Sequence, residues 1–284
     1  MNSPEITVYE PNYRAKIGFF KIWMVMLRNI IRSRELIWQL FKRDFLMSYK
    51  KSFLGMAWIV ISPVVGIVSW IFMNFTGVLN PGDVGIPYPA YVLLSSSVWG
   101  LFMGFYTAGE GTLAAGAGII TQVQFPHEAL LIKQTAHQLA NFILGFVLNI
   151  IILIAFGVIP SWKIVFFPLV TIPLFLLGAG IGLVVSVIGV VAMDLSKGMT
   201  IVLGLVMYIT PVIYSNRVDN PFLKTVITYN PLTYLVGNVR DLIIYGRFDT
   251  IEMFLYSTLF AIGVFLVSWR FFYLSEDKVV DKMI

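Results

Sequence analysis

Long apolar runs separated by short charged segments dominate the sequence. Charged side chains leave six such runs, at residues 52–82, 84–109, 134–162, 164–193, 198–216 and 253–269. A helix needs about 20 residues to cross the hydrocarbon core of a bilayer, and a Lys, Arg or Asp at its centre costs roughly 2.5 to 3.5 kcal/mol. The pattern therefore predicts an all-α membrane protein with six transmembrane helices. The last two runs are the shortest, so five or seven spans remain alternatives.

The composition agrees with this interpretation. The 284 residues are 58% hydrophobic and 12% charged, and the mean hydropathy is +0.84. A soluble domain of this size could not bury so much apolar surface in one core. We expect no cleavable signal peptide, because the start of the chain is charged and its first apolar run is long. The first span is expected to direct insertion itself.

Basic residues are concentrated before the first apolar run. Ten of the 20 Lys and Arg residues lie within residues 1–51, which places this segment in the cytoplasm by the positive-inside rule. We expect a cytoplasmic N-terminal segment at 1–51, a transmembrane domain at 52–273 and a cytoplasmic tail at 274–284. Both termini are then cytoplasmic. The same placement explains the net charge of +5 without a nucleic-acid partner.

Residues 13–31 have the pattern of an amphipathic helix. Arg14, Lys21 and Arg28 share one face. Apolar residues recur on another face at intervals of three and four, at Ile17, Phe20, Met24, Leu27 and Ile31. Such a helix suits the inner headgroup layer, where its cations meet anionic lipids. A helix packed on protein is the alternative.

The segment 217–251 falls on the outer side of the predicted topology and is partly apolar. Its apolar stretches 222–229 and 232–245 are each too short to cross a bilayer, and Asn230 and Pro231 separate them. The pattern favours a re-entrant hairpin of two half-helices that enters the membrane from outside. A helical loop on the outer surface is the alternative.

The chain carries no recognisable catalytic or metal-binding motif. It contains no cysteine, and its two histidines, His127 and His137, are ten residues apart. Neither a Walker A loop nor a nucleophile motif is present, and the glycine-rich stretch 109–118 lacks the Lys and Ser or Thr of a phosphate loop. We therefore predict no catalytic residues, no metal and no cofactor bound by this chain. A transporter of this kind must take its energy from a partner.

The third apolar run contains three notable polar residues. His137, Asn141 and Asn149 fall on one helical face. The spacing favours hydrogen bonds between helices over a path for protons, because no chain of Asp, Glu, Lys or Arg accompanies them.

Aromatic residues within or beside the runs are candidates for a substrate channel. Flat apolar rings stack on the C–H faces of sugars, and Tyr and Trp keep a hydrogen-bonding edge. The candidates are Trp58, Phe72, Phe75, Phe102, Tyr106, Tyr208 and Tyr214. Anchoring at the membrane interface or contact with lipid is the alternative for each of them.

Four segments together resemble a known family. The entry into the first run reads Leu36-Ile37-Trp38-Gln39-Leu40 and then Tyr49-Lys50-Lys51-Ser52-Phe53-Leu54-Gly55. Phe125-Pro126-His127-Glu128, Thr210-Pro211-Val212-Ile213-Tyr214 and Asn230-Pro231-Leu232 follow in that order. They resemble the membrane subunit of bacterial ABC transporters that export polysaccharides, which are O-antigen, capsule and teichoic acid permeases of the Wzm type. The chain departs from the family pattern at Ser48, Gly116, Gln122, His127 and Met193.

The resemblance implies a type-2 ABC exporter permease in the bacterial cytoplasmic membrane. Two copies would pair with two copies of a separate ABC ATPase, which binds ATP and Mg²⁺, and would export a lipid-linked polysaccharide. A coupling loop at about 110–133 would dock on the ATPase, and the outer hairpin would gate the exit. The residues implied in coupling are Arg43, Asp44, Ile119, Ile120, Gln122, Phe125, Pro126, His127 and Glu128. Those implied in the gate are Asn230, Pro231, Tyr234, Arg240 and Asp241.

Two other functions remain open at this point. A permease of the same fold could export drugs or simple lipids. A membrane-embedded glycosyl or acyl transferase would need a carboxylate or histidine cluster, for which the nearest candidates are Asp241, Asp249 and Glu252.

Overall fold

The computed structural model describes residues 18–50, 57–114 and 126–280. Within these ranges the regular structure is helical, without a strand. The main helices in chain order are α1 Phe19–Arg32, α2 Arg34–Lys50, α3 Trp58–Phe75, α4 Tyr88–Glu110, α5 Glu128–Ala155, α6 Phe167–Val170, α7 Ile172–Val191, α8 Met193–Val206, α9 Pro221–Tyr229, α10 Pro231–Tyr245 and α11 Ile251–Val280. Short 3₁₀ turns at Trp162–Phe166 and Met207–Ile209 precede α6 and follow α8.

Four helical stretches of the described chain are long and apolar enough to cross a membrane. They are Tyr88–Glu110, Glu128–Ala155, Trp162–Val191 and Ile251–Ser275. They coincide with the second, third, fourth and sixth predicted runs, which confirms an all-α membrane protein.

Helices α3 and α8 overlap the first and fifth predicted runs. The apolar part of α3 that the structure describes is Val64–Phe75, and α8 has 14 residues. After α8 the chain tightens into the 3₁₀ turn and becomes extended at Thr210. The residue before a proline is biased away from helix, and Pro211 follows directly. Spans at 52–82 and 198–216 stay predictions.

The fourth span is interrupted near its outer end. Pro168 and Pro173 lie in the first turns of α6 and α7, and Thr171 separates the two helices. Proline has no amide hydrogen and fits only the first turn of a helix. The chain therefore breaks into two helices at these prolines.

A seam of glycines joins α7 to its neighbours. A Cβ atom at Gly178 would lie 2.8 Å from the carbonyl oxygen of Phe102, and one at Gly182 would lie 2.9 Å from the Cα of Gly109. Gly180 faces α11 instead, where an added Cβ atom would lie 3.2 Å from the Cα of Phe265. The missing side chains allow the backbones of α4, α7 and α11 to approach closely, as small residues do in membrane helix pairs. These helices form the best-packed part of the molecule.

Helix α1 has two apolar faces. Ile22 and Met26 are fully buried in a cluster with α11, which contributes Phe272. Met24, Leu27 and Ile31 are exposed. The helix therefore packs on protein and also exposes Met24, Leu27 and Ile31 of the predicted apolar stripe, while Ile17 and the side chain of Phe20 lie outside the described part of the chain.

Candidate functional site

Four polar residues join the N-terminal helices to the first turns of α5, and we call them the inner clasp: Asn29, Asp44, Glu128 and Lys133. Lys133 Nζ lies 2.6 Å from Asp44 Oδ2, and the lysine side chain is only 5% exposed. Asn29 Nδ2 donates to Glu128 Oε1 over 2.7 Å. Helix α5 begins at Glu128, which is six residues before the apolar run 134–162. Its first turns can hold Glu128 and Lys133 because both side chains have polar partners.

The electrostatics of the inner clasp favour an ionised Asp44. Burial raises the pKa of this carboxyl, but hydrogen bonds from Lys133 and Arg43 lower it further, so the pKa lies below its ordinary value. The Arg43 Nε donates to Asp44 Oδ1 over 2.9 Å. The stability that this pair contributes is therefore present above the ordinary pKa of the carboxyl and is lost as the pH falls through the lowered one.

Two further contacts lock α2 onto α5. Ile37 and Leu40 of α2 form a buried cluster with Ala129 and Leu130 of α5. His137 Nε2 lies 3.1 Å from Ser48 Oγ, and His137 Nδ1 lies 3.3 Å from Asn141 Nδ2. The predicted role of His137 in a hydrogen bond between helices is confirmed. The inner clasp and these contacts make α2 and the start of α5 one unit.

The residues predicted to contact an ATPase divide into three groups. Ile119, Ile120, Gln122 and Phe125 lie outside the described residues. Arg43 is exposed, and Asp44 and Pro126 are partly buried. His127 and Glu128 are buried within this chain, and Glu128 is 2% exposed. Their contact with a partner stays a prediction, and the described contacts of Asp44 and Glu128 are internal.

A second polar cluster lies at the N-terminal end of α4, and we call it the outer pin because the sequence predicts that this end faces outside: Tyr91, Arg240 and Asp241. The Arg240 Nη1 donates to Tyr91 Oη over 2.7 Å, and its Nε donates to Asp241 Oδ1 over 3.0 Å. The guanidinium also lies 4.6 Å from the centre of the Tyr91 ring. The outer pin fixes α10 to α4 through a buried cation.

The outer pin continues into the segment after α8. The Tyr91 hydroxyl lies 2.8 Å from the carbonyl oxygen of Tyr214 and 3.1 Å from that of Pro211. Asn230 Nδ2 donates to Thr210 Oγ1 over 2.8 Å. The segment 210–214 is therefore held between α4 and the outer hairpin.

Asn230 divides the hairpin as the sequence predicts. Its Oδ1 accepts from the backbone amide of Leu232 and caps α10, and Pro231 is the first residue of that helix. The Tyr234 hydroxyl donates to the carbonyl oxygen of Thr228 over 2.9 Å and ties α10 back to α9. Two short helices, of nine and 15 residues, are confirmed here.

Comparison with known proteins fits this arrangement. The ABC-2 type transporter family matches residues 35–244, a range that includes the outer pin and all of the inner clasp except Asn29. The chain belongs to the ABC-2 type transporter family. Relatives of this ABC-2 chain include two O-antigen export system permease proteins, both called RfbA. The protein from Myxococcus xanthus is 25% identical over 80% of this chain and 87% of its own length. One from Klebsiella pneumoniae is 26% identical over 79% of this chain and 85% of its own length.

The candidate channel aromatics of the ABC-2 chain are buried, half-buried or exposed. Phe102 and Tyr106 are buried, and the backbone atoms of both lie close to glycines of α7. Tyr214 is half-buried and donates through its hydroxyl to the carbonyl oxygen of Tyr208. The exposed members are Trp58, Phe72, Phe75 and Tyr208. The exposed group lies on α3 and just after α8.

Sequence reasoning missed several residues that the fold of this ABC-2 transporter brings into the site. The sequence marks Lys133 only as the boundary of an apolar run and gives no reason to choose Tyr91 or Asn29. A signal for Lys133 was available, because a lone cation one turn inside a helix start needs a carboxylate. Nothing in the sequence signals Tyr91, whose partner Arg240 lies 149 positions away. Among the described residues no group of three or more His, Asp or Glu could hold a metal ion.

Proposed function

We propose that this ABC-2 permease exports a lipid-linked polysaccharide, such as an O-antigen, across the bacterial cytoplasmic membrane. The observation that carries this proposal is the similarity to O-antigen export permeases over about four-fifths of the chain. The apolar helices supply a membrane path and the chain has no nucleotide-binding motif. Energy would come from a separate ABC ATPase, which binds ATP and Mg²⁺.

The proposed topology has six spans, with α3 and α8 belonging to the first and fifth, and both termini in the cytoplasm. The excess of Lys and Arg before α3 supports the cytoplasmic N-terminus. Helices α9 and α10 would form the re-entrant outer hairpin, since nine and 15 residues are too few to cross. Helix α1 would lie at the inner interface with its exposed apolar stripe in lipid.

Coupling to the ATPase would begin at the loop 110–133. Helix α5 begins at the end of this loop and carries Glu128 and Lys133 in its first two turns. A push on Pro126 would therefore move α5, and the inner clasp would carry α1 and α2 with it. Such coupling requires the ATPase to bind one state of the permease more tightly than the other.

The path would form between two copies of this chain. Support comes from α3 and α8, whose apolar side chains are largely exposed within one chain, as at Val65 and Ile201. Trp70 and Tyr208 bring the two helices together, with ring centroids 6.2 Å apart. Exposed aromatics on this face, such as Phe72, would then contact the passing glycan.

The outer gate would be the hairpin together with the segment 210–214. Asn230 and Arg240 hold that segment through Thr210 and Tyr91. Movement of α8 would pull on the segment, because the 3₁₀ turn joins them directly. The gate would thus open when α8 moves relative to α4.

Loss of the permease in its source cell tests the proposal. Cells without it are expected to lose surface glycan and to accumulate lipid-linked polysaccharide on the cytoplasmic side. Antibody labelling of intact and permeabilised cells measures both pools, and re-expression of the wild-type chain is the control. Persistence of surface glycan, with loss of efflux of a hydrophobic drug or a simple lipid instead, would assign a different substrate.

A further inference from the structure

An open polar cavity of about 530 Å³ lies where three outer segments meet. The first outer loop contributes residues 83–85, the segment after α8 contributes 215–219, and the hairpin contributes Lys224, part of α10 and Asp249. Its volume falls within the range of roughly 300 to 1,000 Å³ that is usual for small-molecule sites. A smaller cavity of about 210 Å³ shares Asn216 and Asp249 with it and extends along the hairpin.

The walls of this outer cavity are fixed by contacts between the segments. The backbone amide of Ser215 donates to the carbonyl oxygen of Pro81 over 2.7 Å, which joins the first loop to the segment after α8. Asn238 Oδ1 accepts from the backbone amide of Asp249 over 3.0 Å. Gly85, at a φ of +73°, lets the Tyr245 hydroxyl approach so closely that a Cβ would be 2.7 Å away. The cavity is therefore a built feature of the outer surface.

The floor of the outer cavity is the outer pin. Arg240 and Tyr91 line it and are both buried. Their described hydrogen bonds go to one another, to Asp241 and to the carbonyl oxygens of the segment 210–214. An occupant of the cavity would thus rest against the same residues that hold the outer gate.

The side chains around the cavity suit a ligand rich in hydroxyl groups. Carboxylates accept hydrogen bonds from hydroxyls, and Lys224 and Arg217 donate to hydroxyl or ring oxygens. The exposed face of the Tyr245 ring offers a surface for stacking on sugar C–H groups. This combination of acceptors, donors and an aromatic ring matches the chemistry of a saccharide.

The charge balance of the cavity narrows the class of saccharide. Four aspartates line it, Asp83, Asp219, Asp241 and Asp249, against three cations, Arg217, Lys224 and Arg240. Asp241 and Arg240 are already paired. The slight excess of negative charge disfavours binding of a glycan that carries phosphate or uronic acid, and it favours binding of neutral sugars or amino sugars.

We propose that the outer cavity binds a neutral or amino-sugar segment of the exported glycan as it leaves the permease. The inference rests on the proposed export function and adds a binding site outside the gate. A segment held there cannot slip back while the gate residues below it reclose. The site therefore favours net movement outward.

Labelling of single cysteines tests occupancy directly, because the natural chain has no cysteine. Asn216→Cys lies in the cavity wall, and Glu252→Cys is an exposed control outside it. Permease reconstituted with its ATPase is labelled from outside by a membrane-impermeant maleimide, with and without lipid-free glycan released from the source cells. At a glycan concentration about ten times its Kd, labelling at position 216 should slow about tenfold, since only empty sites react. Labelling at position 252 should not change.

Two results of this experiment overturn the inference. One is equal labelling at position 216 with and without the glycan. The other is protection by oligogalacturonate, an anionic probe, at least as strong as protection by the released glycan.

A substitution that removes one negative charge from the cavity wall tests glycan binding there separately from the export function. Asp249→Asn keeps the shape of the side chain and its backbone hydrogen bond, and should weaken glycan protection of position 216 roughly tenfold, as loss of a charged hydrogen bond does. Glu252→Gln is the matched control and should leave glycan protection of position 216 unchanged. If wild-type vesicles export glycolipid but Asp249→Asn protects as well as wild type, the cavity inference fails alone. If wild-type vesicles export no glycolipid, the proposed function fails.

Discussion

Helices α4 and α7 differ from helices α3 and α8 in what covers them. The first two meet along the glycine seam, where Gly182 and Gly109 bring backbones into contact. The other two expose apolar side chains such as Phe72 and Val202, and a Cβ atom at Gly66 or Gly204 would meet nothing within 4 Å. Glycine therefore allows close backbone contact in the first pair of helices and makes no such contact in the second pair.

This difference divides the molecule into a framework and a movable part. The framework of α4, α7 and α11 cannot shift without breaking close backbone contacts, because packed interiors have few intermediate arrangements. Helices α3 and α8 can move against lipid or another copy of the chain at little cost. The inner clasp attaches the N-terminal helices to α5, and the outer pin attaches the hairpin to α4 of this framework. Each prediction below tests one side of that division.

A large side chain in the glycine seam should have the greatest effect. Gly182→Leu would drive side-chain atoms into the backbone of α4 and should cost more than about 4 kcal/mol, the exceptional end for single substitutions. Gly204→Leu in α8 is the matched control and should change stability by less than about 1 kcal/mol. Unfolding by denaturing detergent, followed by circular dichroism, measures both. Similar losses in the two variants would remove the distinction between framework and movable part.

Truncation of aromatic rings should show the same contrast at a smaller scale. Phe102 is 0% exposed, and Phe102→Ala leaves a cavity in the main buried cluster that should cost about 3 kcal/mol. Phe72 is 64% exposed, and Phe72→Ala should cost less than about 1 kcal/mol. The same detergent titration measures the free energy of unfolding. If Phe72→Ala instead costs as much as Phe102→Ala in the purified dimer but not in the monomer, α3 lies in the contact between copies.

Removal of the buried cation tests whether the hairpin belongs to the framework. Arg240→Met leaves Asp241 and Tyr91 without this partner and should cost about 3 kcal/mol, as breaking a buried ion pair does. Arg217→Met is the control, because its side chain is 81% exposed and lies 3.9 Å from Asp83, so its loss should cost well under 1 kcal/mol. Thermal unfolding in detergent compares the two. A small effect at position 240 would show that the outer pin does not hold the hairpin.

The inner clasp should give the smallest effect and one that depends on pH. Lys133→Met leaves Asp44 with Arg43 and with partial access to water, so the cost should be about 1 to 2 kcal/mol at pH 7. Because the pKa of Asp44 lies below its ordinary value of 3.8, the wild-type protein should lose this stability as the pH falls below 3.8. The melting temperature measured from pH 7 to pH 3 checks both points.

Asp44→Asn is the control for that pH dependence. It removes the titrating carboxyl, so its melting temperature should fall less than that of the wild type over the same acid range. An identical acid loss in wild type and Asp44→Asn would assign the titration to another group.

The positions of charges and prolines account for what could be predicted from the sequence. Runs without charge located α4, the body of α5, α7 and α11, and Asn230-Pro231 located the division of the hairpin. The start of α5 was predicted six residues too late, because the pattern of charges does not show that Lys133 is paired with Asp44. The break between α6 and α7 also lies at prolines, Pro168 and Pro173, whose effect on a helix is local.

Contacts between distant segments could not be predicted in this way. Tyr91 and Arg240 lie on separate helices, and only the packing of α4 beside α10 brings them together. Phe102 and Phe72 look alike in the sequence as channel candidates, yet Phe102 is buried on α4 and Phe72 is exposed on α3. Burial of a ring depends on its neighbours across the fold, which a pattern along one helix does not contain.

Transport by purified components tests the central claim most directly. Permease and its ABC ATPase are reconstituted in vesicles that carry a lipid-linked glycan on the face exposed to added ATP. Addition of ATP and Mg²⁺ should move the glycan to the lumen, where an impermeant glycosidase can no longer digest it, and vesicles lacking either protein should move none. Full digestion after ATP addition, or protection that needs the permease but no ATPase, would contradict the account.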